Sequence, residues 1–242
     1  MGLPLATTQW LRGQLPCDAL DAALAGRHDV QCLKFAIRFE PPRPLHDACA
    51  VPAQSFEARA GELRRFYADA RRIAQQEEEA SAPGWVSRSA RKRIEASGAM
   101  PEPSRPIYFL TVQQGGRKAV AYIGITQAKG GRFSGGHAAI TKLHHPKFQR
   151  ATKELFLAAV YAQITPDLWV NLELLPRAAR HLHDIEMQLV YALQPELNTH
   201  GKTRLIAEAT YTLIFGAAGG ISDLQRMYVE HDRLCPLPQE PA

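Results

Sequence analysis

The 242-residue chain has no run of about eighteen apolar residues, the length a membrane-spanning helix needs. Its four cysteines, Cys17, Cys32, Cys49 and Cys235, form no CxxC pair and no metal-ligand spacing, which argues against a structural zinc and for reduced thiols. No HExxH, paired-carboxylate cluster, helix-turn-helix, zinc finger or internal repeat is present. The stretch Met1 to Leu24 is broken by Pro4, Arg12, Pro16, Asp18 and Asp21, and so lacks the basic start and apolar core of a signal peptide. A soluble, cytoplasmic protein without membrane partners is the expectation. Nor does one sign of charge dominate: 29 Lys and Arg stand against 24 Asp and Glu, a net charge of +5. Residues 101 to 204 hold thirteen Lys and Arg against seven Asp and Glu, so the basic excess is concentrated there.

What is present divides into three regions: 1–100, 105–204 and 205–242. In the first, a Pro-rich patch from Glu40 to Pro44 precedes a stretch where Leu63, Phe66, Tyr67, Ala70 and Ile73 recur at spacings of three and four. That spacing predicts an amphipathic helix from Phe56 to Gln76, with Arg64, Arg65, Arg71 and Arg72 on its other side. Gly98, Pro101, Pro103 and Pro106 mark a boundary.

The middle region opens with two β-prone runs, Ile107 to Gln113 and Ala119 to Thr126, joined through Gly115-Gly116 as a hairpin. Glycines at 130, 131, 135 and 136 predict a sharp turn before a helix near His137. Residues 151 to 164 suit a helix or a buried strand, and the helix is preferred. Leu168, Val170, Leu172 and Leu174 alternate as a third strand. A helix after Pro176 runs to about Gln194, with Leu182, Ile185, Leu189 and Leu193 as its buried stripe, and Pro195 turns the chain out of it. In the last region, Ala207 to Phe215 reads as helix or strand, followed by a glycine-rich turn and a final helix. The fold class this order predicts is α/β (α+β): a small three-stranded mixed sheet flanked by helices. A mainly helical N-terminal extension precedes it and a C-terminal helical segment follows.

Within the middle region, Pro106-Ile107-Tyr108, Ala121-Tyr122-Ile123-Gly124, Arg132, His137, Glu186 and Pro195 through Asn198 occur in an order that resembles the GIY-YIG nuclease superfamily. The resemblance covers roughly residues 105 to 204. It departs in its first motif, where Pro106 stands in place of glycine, and at His137, one residue later than in many members. It implies hydrolysis of DNA phosphodiester bonds with one divalent ion, Mg²⁺ or Mn²⁺. Such a reaction needs a nucleophilic water, a cation for the developing charge and help for the leaving oxygen.

By that resemblance, Tyr108 serves as general base or water-orienting group, with Tyr122 supporting it. Arg132 clamps phosphate, His137 relays a proton and Glu186 holds the metal. Gly124 and Asn198 support the site. A phenol is a weak base at neutral pH unless a neighbouring cation depresses its pKa. Lys142, Lys147, Arg150 and Lys202 are candidate contacts to nucleic acid, with a solvated loop as the alternative for the first three. His183 and Glu186, three apart on one helix face, offer a competing transition-metal pair that lacks further ligands. The expected activity is a metal-dependent endonuclease, of restriction type or directed at foreign or mobile DNA, with DNA as partner. For a palindromic site a homodimer is implied. A non-cleaving nucleic-acid-binding module is the alternative, and a protein-interaction scaffold is a third.

Overall fold

A computed structural model describes residues 5–24, 34–50, 55–77, 85–126, 133, 137–216, 220–225, 227–230 and 233–236. Two short helices, α1 (Ala6–Leu11) and α2 (Cys17–Leu24), precede strand β1 (Lys34–Phe39) and the two-residue β2 (Arg43–Pro44). The predicted amphipathic helix forms as α3 (Phe56–Gln76). Ser55 caps it by accepting from Ala58 N at 3.3 Å, and Leu63, Tyr67, Ala70 and Ile73 are buried along one side. Helix α4 (Arg88–Ser97) is capped in the same way by Ser87.

The hairpin follows as β3 (Ile107–Gln114) and β4 (Arg117–Ile125), with Gly115 and Gly116 both at positive φ in its turn. Next come α5 (Ala138–Lys142), the long strand β5 (Thr152–Thr165), β6 (Leu168–Asn171) and α6 (Ala178–Leu193). The chain closes with β7 (Thr212–Gly216), α7 (Ser222–Gln225), β8 (Met227–Glu230) and β9 (Arg233–Pro236).

The small three-stranded sheet is corrected by this topology. Seven strands run in the order β4-β3-β5-β1-β7-β8-β9, and β2 and β6 pair onto β5. The sheet is mixed and curls into a half-barrel with helices against it. Two expectations about single elements fail. Residues 152–165 form a strand rather than a helix, because β5 lies in the middle of the sheet. Along one edge it pairs with β3 and then β6; along the other, with β2 and then β1. The expected strand through Leu174 stops at Asn171 and becomes a 3-10 turn, Leu172–Leu174.

The region before residue 100 therefore supplies strands as well as helices. Its β1 lies antiparallel to β5 and parallel to β7, which comes from the last region. The final helix among the described residues is the four-residue α7, and of the stretch Ala207–Phe215 only the part from Thr212 on is strand, in β7.

Alternation along the strands gives the sheet two covered faces. Ile107, Phe109, Ile123, Phe156 and Val160 join α3 and α6 in the main core. Tyr108, Leu110, Ala121, Leu155 and Leu157 face the other way, onto α5 and the turn at Phe148. Among the described residues no helix is long and apolar enough to cross a membrane.

Candidate functional site

Strand alternation brings the two tyrosines to the same face of the sheet. Tyr108 on β3 stands opposite Gly124 on β4, and Tyr122 stands opposite Leu110, two pairs further along. The ring centroids of Tyr108 and Tyr122 lie 6.0 Å apart at an interplanar angle of 30°. Tyr108 leans across the backbone of Gly124. A Cβ added there would sit against Tyr108 Oη, 2.5 Å from its Cζ and 2.8 Å from Tyr122 Cε1. Only glycine leaves room for both rings, which is the physical reason for the last residue of Tyr122-Ile123-Gly124.

His137 closes the other side of the cluster. It is the N-cap of α5, and its Nδ1 accepts the backbone N–H of Ala139 at 3.2 Å. Its Nε2 lies 2.8 Å from Tyr108 Oη. A nitrogen that accepts has no proton, so the neutral ring carries its hydrogen on Nε2 and donates it to the phenol oxygen. The proton of Tyr108 itself then points away from His137. Phe133 completes the group, with its ring 5.2 Å from Tyr108 and 5.8 Å from His137. Tyr108 is fully buried and Tyr122 half-buried.

Asn198 fixes β4 from outside. Its Oδ1 accepts from Ile123 N and its Nδ2 donates to Ile123 O, both at 2.9 Å, so the amide takes the place of a further strand. Leu197 N donates to Ala121 O at 2.9 Å. Further along the same edge, Asp223 Oδ2 accepts from Val120 N at 2.9 Å, and Ser222 Oγ accepts from Lys118 N at 3.3 Å. An edge strand with its backbone groups satisfied in this way holds its side chains in a fixed position.

Glu186 stands on α6, which packs on β4. Its neighbour Ile185 belongs to the main core, on the face of the sheet opposite Tyr108. The Glu186 side chain is 13% exposed, with His183 Nδ1 at 3.9 Å from its Oε2. Its donor set suits a hard cation: Mg²⁺ is commonly bound through one or two carboxylates, with waters and substrate phosphate completing its shell. No group of three or more His, Cys, Asp or Glu gathers among the described residues, so the closed ligand set of a structural transition-metal site is not found there.

Of the residues singled out by sequence, Tyr108, Tyr122, Gly124 and His137 meet directly, and Asn198 anchors the strand between them. Arg132, with the glycines at 130, 131, 135 and 136, lies outside the described residues. Lys142 at the end of α5 and Lys147 and Arg150 beyond it are exposed, and Lys202 is half-buried near Gln194, whose side chain donates to its carbonyl at 3.2 Å. Sequence reasoning missed Phe133, although a single aromatic inside a glycine-rich turn was a usable signal. It also missed Asp223, whose capping role depends on the C-terminal chain folding back.

A second polar cluster lies within the main core. His181 Nδ1 is 2.8 Å from Tyr211 Oη, and Gln188 exchanges hydrogen bonds with the Tyr211 backbone at 2.7 and 2.9 Å. Burial holds the His181 pKa below its ordinary value, and it raises those of Asp184 and Tyr211.

Compared with protein-family models, curated proteins and solved structures, the chain matches none of them.

Proposed function

We propose that this protein is a divalent-metal-dependent endonuclease that hydrolyses phosphodiester bonds in DNA. The observation that carries the reading is the Tyr108–His137 hydrogen bond, beside a glycine whose missing Cβ leaves room for the Tyr108 and Tyr122 rings. It is supported by the gathering of Tyr108, Tyr122, Gly124, His137 and Asn198 at the edge strand β4. In this reading Tyr108, as phenolate, accepts the proton of the attacking water, and His137 holds the phenolate oxygen. Nε2–H of His137 donates to that negative oxygen beforehand, and the proton taken from water restores the phenol as hydroxide attacks the phosphate. Tyr122, the half-buried member of the cluster, marks the side from which water would have to enter. Arg132 grips the phosphate through its planar guanidinium. A divalent ion on Glu186 would supply the cation for charge developing on the phosphate.

The complete burial of Tyr108 favours a second reading, a module that binds nucleic acid without cutting it. One experiment separates the two. Purified protein is incubated with supercoiled plasmid in Mg²⁺ or in EDTA, beside Glu186→Ala. The nuclease reading expects metal-dependent nicking or linearisation by the natural chain, a loss of at least about a hundredfold in the variant, and nearly unchanged DNA affinity. Binding without cleavage of plasmid, branched or single-stranded DNA would leave the binding module. Discrete fragments would mark a restriction-type enzyme.

A further inference from the structure

Beside the tyrosine cluster lies a pocket of about 530 Å³, within the size range of small-molecule sites. Phe148, Leu197 and Thr141 line it, and Lys142, His144, His145 and Lys147 stand around it. A helix and a backbone hydrogen bond tie it to the candidate site. Helix α5 begins at His137 and ends at Lys142, about 8 Å along its axis, or roughly two nucleotide steps. Leu197, on the opposite wall, bonds Ala121 next to Tyr122 and precedes Asn198.

The shape and charge of the pocket point to a particular occupant. A regular duplex presents its phosphates on a convex ridge and keeps its bases stacked inside, so a concave site with an apolar wall gives it little to hold. A strand with an unstacked base offers both an anionic phosphate and a flat apolar ring. We propose that the pocket receives one unstacked nucleotide of the DNA strand being cut, its base against Phe148 and Leu197 and its phosphate on Lys142 and His144. The substrate class is then single-stranded, branched or locally unpaired DNA. This rests on the nucleic-acid reading above and deepens it.

Glu196 is the built-in competitor for this occupant. Its carboxylate, next in sequence to Leu197, pairs with Lys147 of the pocket, and both side chains are about half exposed. An exposed pair of this kind is weak, so an incoming phosphate displaces Glu196 from Lys147 easily. Lys147 Nζ also lies 4.6 Å from the centre of the Phe148 ring, where a base would stack.

The test is fluorescence anisotropy with a labelled single-stranded oligonucleotide of about a dozen nucleotides, in EDTA, with a duplex of the same length as comparison. The natural chain is expected to bind the single strand several-fold more tightly than the duplex. Lys142→Ala with His144→Ala should weaken single-strand binding about tenfold and flatten its salt dependence. Glu196→Gln should tighten it roughly threefold by freeing Lys147. All three positions are exposed, so the variants should keep the natural circular dichroism spectrum.

Equal affinity for duplex, indifference to these substitutions, or complete competition by millimolar inorganic phosphate alone would overturn the proposal. The plasmid assay keeps the two readings apart. Cleavage without single-strand preference sinks the pocket and leaves the nuclease. Single-strand binding lost in the pocket variants, without cleavage, supports the pocket and sinks the nuclease.

Discussion

Gly124 makes the sharpest claim at the scale of one residue. Replacing it with alanine drives a methyl group into the Tyr108 phenol, whose ring is enclosed by Tyr122, Phe133 and His137 and has nowhere to retreat. Overpacking of this kind costs about 1–3 kcal/mol, which a urea melt of Gly124→Ala should reveal, together with loss of any cleavage activity. Glu173 carries a different prediction. Its Oε1 accepts from both N and Oγ of Ser104, but its Oε2 is buried with no hydrogen bond, and burial raises its pKa above 4.5. The folded state therefore holds this proton more tightly than the unfolded chain does. Its contribution to stability is complete below pH 4.5 and declines as pH rises through the folded pKa. Glu173→Gln, which keeps the acceptor for Ser104, should gain stability relative to the natural chain as melts move from pH 4 to pH 7. An unchanged difference across that range would count against a buried carboxyl with a raised pKa.

Among elements, α3 and α6 were legible because one face of each is buried and the other solvated. The repeat of Leu63, Tyr67, Ala70 and Ile73 and that of Leu182, Ile185 and Leu189 have only one reading. β5 was not legible, for the opposite reason. Phe156, Ala158, Val160 and Ala162 enter the main core while Leu155 and Leu157 enter the second cluster, so both of its faces are apolar and the alternation disappears. Its alanines then look helical. The meeting of Tyr108, Tyr122 and Gly124 was legible, because the alternation of the hairpin strands that carry them is clear. Phe133 and Glu196 were hidden, since their roles depend on contacts that local spacing does not encode.

His181 links elements across the core, from α6 to Tyr211 just before β7. Burial lowers its pKa from 6.5, so stability from this group is complete above that value and is lost as pH falls below it. Hydrogen exchange should show the Leu213 amide losing protection as pH drops from 7 to 5, after correction for intrinsic exchange. His181→Phe should remove that pH dependence.

At the scale of the whole molecule, the extent of the sheet could not be read from sequence because its central pairings are remote. β1 finds its partners at residues 158–163 and 212–216, and no short window of sequence contains either pairing. The region after Arg204 is therefore more than an appendage. It supplies the parallel neighbour of β1, and Asp223 covers the outer edge of β4. A chain ending at Arg204 should lose soluble expression or elute as an aggregate in size-exclusion chromatography, because the edge of β1 is left bare. A soluble monomer from that truncation would show that the sheet tolerates the loss.

The same pairing sets a timetable during synthesis. β1 leaves the ribosome early, and its parallel partner β7 is made only after Tyr211. At about 5–20 residues per second, the strand Lys34–Phe39 waits on the order of ten seconds or longer for that neighbour. The β3–β4 hairpin, with both tyrosines, can close as soon as it emerges. The nascent chain thus carries a finished tyrosine pair and an open apolar strand at the same time, which makes that strand the segment most in need of a holding chaperone.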